Sequence, residues 1–242
     1  ILAADESPET ATKRLAAVGV ESTEETRRSY RELFFGTPGI ERYLSGIILH
    51  PESTAFVEPL LARGILPGVK VDEGTAPCPD SPEETITKGL RGLEGRLAAY
   101  KALGAQFTKW RSGVQNGDGL PTDACIKKNA DDLAAYALAS QKAGLTPIVE
   151  PEVLLNRSIA LKQSEEALTR TLEAVFGALR AANVDLGGLI LKSSMALPGA
   201  PKEVAEATIR ALRAAVPIEV PGIVFLSGGQ DPEEAAANLN AI

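Results

Sequence analysis

The chain has 242 residues, a net charge of −7, and 24% charged against 44% hydrophobic residues, a balance that excludes a wholly disordered protein. The acidity provides no global field for nucleic acid or an anionic membrane, no apolar stretch is long enough to cross a bilayer, and no basic segment leading into an apolar one opens the chain. Two cysteines, Cys78 and Cys125, and one histidine, His50, are too few for a disulfide framework, a CxxC zinc site, a His-rich metal centre or a Ser-His-Asp triad.

In chain order, ILAAD (1–5) reads as a strand, and Ser22 with Glu25 forms a capping box before the helix TEETRRSYRELFF. SGIILH (45–50) and GVKVD (68–72) read as the next two strands. Ser81, Pro82 and Glu84 predict a helix start, with an N-cap, a proline at the first helical position and a second box. QFTKWRS (106–112) is a strand, followed by a helix over 124–143 stopped by Gly144. TPIVEPEV (146–153), a helix over 164–182, GLILKSS (188–194), a helix over 202–215 closed by Pro217, and GIVFLSGG (222–229) continue the alternation. Asp231, Pro232 and Glu234 open a last helix through AAANLNAI.

Short apolar strands alternating with longer helices imply a mainly parallel sheet covered on both faces. Regular spacing, without a GxGxxG fingerprint or a GxxxxGK[ST] loop, favours a closed barrel over a doubly wound sheet. The expected architecture is therefore α/β: one (β/α)8 TIM barrel domain over 1–242. Seven strands are found in the sequence where such a barrel needs about eight, so the last strand and a C-terminal tail are expected to lie outside it.

Strands buried on both faces should carry almost no charge. Here Asp5, Lys70 with Asp72, Lys109 with Arg111, Glu150 with Glu152, and Lys192 stand near the C-terminal ends of successive strands. Strand side chains alternate, so each i,i+2 pair shares a face, and in a barrel those ends converge on one mouth. A lone strand-end lysine is ordinarily a solvated rim residue. Recurrence from strand to strand points instead to a polar site, since buried charges are costly unless paired. Lysines near other cations can become nucleophiles toward a carbonyl, Glu150 or Asp5 can move protons, and the LSGG turn (226–229) can hold phosphate through backbone N–H groups.

The motifs ILAADES (1–7), GVKVDEG (68–74), FTKWR (107–111), NADDLAAYA (129–137), PIVEPEVL (147–154), LILKSSM (189–195) and VFLSGGQ (224–230) together resemble the class I fructose-1,6-bisphosphate aldolases. The resemblance implies a metal-independent, cofactor-free Schiff-base enzyme of glycolysis that cleaves a sugar bisphosphate. It implies Lys192 as the nucleophile, Glu150 as proton donor and acceptor, and Lys109 beside Lys192, helping to keep it deprotonated. Asp5 would take the C4 hydroxyl proton, and Glu152 would hold the charges of Lys109 and Lys192 in register. Lys70 and Arg111 would contact the carbon-six phosphate, and Ser227, Gly228 and Gly229, with Arg14, the carbon-one phosphate. It further implies a homotetramer with neither nucleic-acid nor membrane partners, located in the cytoplasm, with an organelle left open. Pro8, Glu9 and Thr10 replace the family's glycine-containing turn and put a carboxylate near a phosphate site unless Glu9 faces away. Two other functions remain open: a non-catalytic scaffold of the same fold, and a Schiff-base aldolase for another sugar phosphate.

Overall fold

The computed structural model describes residues 1–242. Seven parallel strands form one sheet: β1 (Leu2–Ala4), β2 (Gly46–Leu49), β3 (Leu66–Lys70), then, after a two-stranded hairpin of β4 (Thr75–Cys78) and β5 (Ser81–Thr87), β6 (Phe107–Val114), β7 (Thr146–Val153), β8 (Ile190–Ser193) and β9 (Ile223–Phe225). The sheet order is β1-β2-β3-β6-β7-β8-β9, and it curls as part of a (β/α)8 barrel. Both edge strands, β1 and β9, border one cavity, although no hydrogen bonds join them.

Helices cover the outer face: α1 (Pro8–Ala17), α2 (Glu24–Phe35), α3 (Val57–Ala62), α4 (Leu93–Leu103), α5 (Asp123–Lys142), α6 (Leu161–Ala181), α7 (Pro201–Ala215) and α8 (Pro232–Ala241). Their starts follow local chemistry. Ser7 caps α1 ahead of Pro8, Thr122 caps α5 through Cys125 N, and Asp231 caps α8 through Glu234 N. The core under α4 to α7 is a cluster of 28 buried residues that includes Trp110, Val149 and Leu191 from the outward faces of the strands.

Two expectations need correction. The box before α2 is formed by Thr23 and Thr26, not by Ser22 and Glu25. The helix expected at Ser81 is a strand. The β-branched run Thr85, Ile86, Thr87 favours extended backbone, and Thr87 pairs with Thr75, Ile86 with Ala76. The carboxylate of Glu84, fully buried, does not turn back to its own backbone; it accepts from Thr122 N at 3.2 Å and from the Thr122 hydroxyl, bracing the start of α5. The i,i+3 spacing signals a helix only when the fourth residue caps locally, and here a distant helix end takes it.

Candidate active site

Alternation along three neighbouring strands builds the site. On β6 the inward row is Phe107, Lys109, Arg111; on β7 it is Ile148, Glu150, Glu152; on β8 it is Ile190, Lys192. Residues between them, such as Thr108, Trp110 and Val149, pack outward beneath the helices. Parallel register sets Lys109 opposite Ile148 and Arg111 opposite Glu150, so Lys109 reaches Glu150 on the diagonal, two residues further along β7 and above the apolar Ile148.

There Lys109 and Lys192 share one carboxylate. Lys192 Nζ is 2.9 Å from Glu150 Oε1, and Lys109 Nζ is 3.2 Å from Glu150 Oε2 and 2.5 Å from Asp5 Oδ2. The three central residues are nearly closed to solvent, with exposures of 3% for Lys109, 3% for Glu150 and 8% for Lys192. The Lys109 contact lacks hydrogen-bond geometry, so Glu150 Oε2 is a buried oxygen with no hydrogen-bond partner. Such atoms are rare and usually mark function or a missing ligand group.

Burial alone would push the Lys109 ammonium toward its neutral form. The carboxylates of Asp5, Glu150 and Asp72 outweigh it and hold the group well above the ordinary lysine range. Burial likewise opposes ionisation of Asp5, but Lys109 and Lys192 overcome it and hold the carboxyl below the usual carboxylate range. Asp5 is therefore an anion and Lys109 a fixed cation at neutral pH. Arg111, bridged to Glu152, is held above the ordinary arginine value despite burial.

The cluster opens into a cavity of about 770 Å³. Arg14 and the turn Ser227, Gly228, Gly229 border it together with Lys70 and Arg111. Every residue to which the resemblance gives a role thus borders one space, while Asp72 of the strand-end charges does not. Two roles differ in detail. Glu152 pairs with Arg111 and with neither lysine, because it stands one pleat higher than Glu150. Lys70 is tied to the Asp72 carboxylate and to its carbonyl oxygen at 2.9 Å. Glu9 is exposed on the first turn of α1 and does not border the cavity, so the carboxylate that replaces a small residue there faces away.

Sequence reasoning missed the residues that brace this set. Arg14 donates to Tyr30 Oη at 3.0 Å and pairs with Glu6 at 2.6 Å. Arg31, 1% exposed, donates to Glu6 O at 2.9 Å and pairs with Glu52, fastening the end of β1 that carries Asp5. An arginine on an amphipathic helix reads as solvated, so only the position of Glu6 over α2 could have revealed Arg31.

Fold and site together define an α/β-barrel enzyme with a buried lysine–carboxylate centre at the C-terminal ends of its strands. The family model for class-I fructose-bisphosphate aldolase matches residues 1–242. A probable fructose-bisphosphate aldolase class 1 of Xanthomonas axonopodis pv. citri is 45% identical over 99% of this chain and 76% of its own length. The cytosolic fructose-bisphosphate aldolase 6 of Arabidopsis thaliana is 46% identical over 100% of this chain and 72% of its own. The solved fructose-bisphosphate aldolase of Plasmodium falciparum, in a complex with TRAP and a small-molecule inhibitor, superposes with a TM-score of 0.94 at 40% identity, covering 100% of this chain and 74% of that one. This chain belongs to the class-I fructose-bisphosphate aldolase family. Its activity is that lyase reaction, reversible cleavage of fructose 1,6-bisphosphate into dihydroxyacetone phosphate and glyceraldehyde 3-phosphate, and the findings favour it over a scaffold or another sugar phosphate.

Proposed function

We propose that cleavage runs through a Schiff base on Lys192, and the observation that carries this is the single carboxylate, Glu150, held between Lys109 and Lys192. Glu150 Oε1, 2.9 Å from Lys192 Nζ, takes the proton that the amine must lose to attack. The free amine adds to the ketone carbon, forming a carbinolamine. Glu150 then returns a proton to the hydroxyl, and water leaves as the protonated imine forms. The iminium is an electron sink. Asp5, ionised by Lys109, removes the proton of the C4 hydroxyl, and the electrons of the C3–C4 bond pass into the imine. Glyceraldehyde 3-phosphate departs, and the enamine left on Lys192 is protonated and hydrolysed to dihydroxyacetone phosphate. Lys109 keeps its charge throughout and stabilises both carboxylates.

Lys70 and Arg111 receive the carbon-six phosphate, each oriented by a partner carboxylate. Ser227, Gly228, Gly229 and Arg14 receive the carbon-one phosphate. Glu152 acts by orienting Arg111. This reading includes one barrel domain over 1–242, a homotetramer, and a cytosolic location, which accords with the names of the plant relatives.

Borohydride trapping tests the nucleophile. With fructose 1,6-bisphosphate present, the wild type gains the mass of one reduced adduct and Lys192→Met gains none. An adduct of equal yield on Lys192→Met overturns the assignment.

A further inference from the structure

The turn after β9 has three consecutive backbone N–H groups, on Ser227, Gly228 and Gly229, with no acceptor within the chain. All three residues border the cavity. Their carbonyl side is bonded the other way. Ser227 O accepts from Gln230 N at 3.2 Å and from Gln230 Nε2 at 2.7 Å. Gln230 is itself held, since its Oε1 accepts from Asn238 Nδ2 of α8 at 2.6 Å. Both side chains are buried, at 8% for Gln230 and 1% for Asn238. Neither borders the cavity.

We infer that Gln230 and Asn238 are positioning residues that aim the phosphate turn, making a strut from α8 through the Ser227 carbonyl to the cavity. The reason is covalent. A trans peptide is planar, with its C=O and the following N–H pointing in opposite directions. Pulling the Ser227 carbonyl toward Gln230 turns the Gly228 N–H away from the protein, toward the cavity. Gly228 and Gly229 hold φ values of +62° and +84°, the left-handed pair of a tight turn that glycine adopts without strain. Because glycine would equally adopt other angles, the turn needs an external restraint, and Gln230 supplies one. The ligand is a phosphate monoester dianion, which successive N–H groups in such a turn bind well.

The inference rests on the carbon-one phosphate reading above, and its test separates the two. In the full-length protein, Gln230→Met keeps the volume and removes both the donor and the acceptor of the side-chain amide; Asn238→Leu removes the donor to Gln230 without burying a charge. KM and kcat are measured for fructose 1,6-bisphosphate and for fructose 6-phosphate, which lacks the carbon-one phosphate, together with the melting temperature. Gln230→Met is expected to raise the bisphosphate KM about tenfold, the loss of one well-aimed charge-assisted hydrogen bond. Its kcat and its kinetics on the monophosphate stay near wild type, its melting temperature falls by a few degrees because the buried Asn238 amide loses its partner, and Asn238→Leu moves the bisphosphate KM less. A Gln230→Met variant that discriminates between the two sugars as strongly as the wild type overturns the strut alone. So does one whose kcat falls on both sugars in step with its melting temperature. A wild type that does not discriminate overturns the phosphate reading and the strut with it.

Discussion

The same strands carry two different interiors. Toward their N-terminal ends, Ile48, Phe107 and Ile148 form an apolar floor with Ile190. One pleat higher, Lys70, Lys109, Glu150 and Lys192 form an ionic layer. On β6 to β8 the change takes two residues, from Phe107 to Lys109, from Ile148 to Glu150, and from Ile190 to Lys192. The floor is held by shape: Phe107 lies so close over Gly68 that a Cβ there would sit 2.0 Å from its ring. The layer above is held by charge, with every amine matched to a carboxylate. The ionic residues Lys109, Glu150 and Lys192 are themselves buried, which strengthens each interaction among them.

The largest effect should come from the layer. Glu150→Gln keeps the shape and removes the shared charge, and general acid–base catalysis of this kind is worth about 10²–10⁴ in rate. Steady-state kcat should fall by that factor with KM little changed. A rise in KM alone would mean that Glu150 only binds substrate.

Next comes the dependence on pH. The folded Asp5 carboxyl ionises below its ordinary range, so its stabilising contribution is complete above the unfolded value of about 4 and is lost as pH falls through the depressed folded value. Lys109 is raised, so its contribution is complete below the unfolded value of about 10.4 and is lost as pH rises through the folded one. Unfolding free energies from urea titration of Asp5→Asn against wild type should therefore show a gap of about 1.5–3 kcal/mol at pH 7. That gap should close only below pH 4. A gap that closes between pH 5 and 7 would contradict the assigned direction.

The floor gives a smaller, purely structural effect. Gly68→Ala drives a methyl into the Phe107 ring and should cost about 1–3 kcal/mol by denaturation. Adding Phe107→Leu should restore part of it in a double-mutant cycle, and additive losses would show that the ring is not the obstacle. Smallest of all, Asp131→Ala removes an ion pair to Lys127 whose side chains are 51% and 75% exposed, and should change stability by less than about 0.5 kcal/mol. A larger loss would erase the distinction between the paired interior and the solvated surface.

Much of this was legible beforehand because a strand has a period of two. Once 106–112, 146–153 and 188–194 read as strands, Lys109, Glu150 and Lys192 had to share a face with their i±2 neighbours. The start of α8 at Asp231 was legible too, since a cap with proline acts locally. Ser81 was not: Glu84 fits a capping box as well as it fits a brace for Thr122. Nor could spacing tell that Glu152 serves Arg111 rather than the lysines, or that Arg31 is buried.

Taken alone, the amino-acid sequence determined which side chains face inward, because alternation and helix capping are set by residues a few positions apart. Tertiary structure alone decided which charge meets which. The groups that meet Glu84, Asp72 and Gln230 lie 38, 39 and 8 residues away in the chain, and no local pattern encodes those separations.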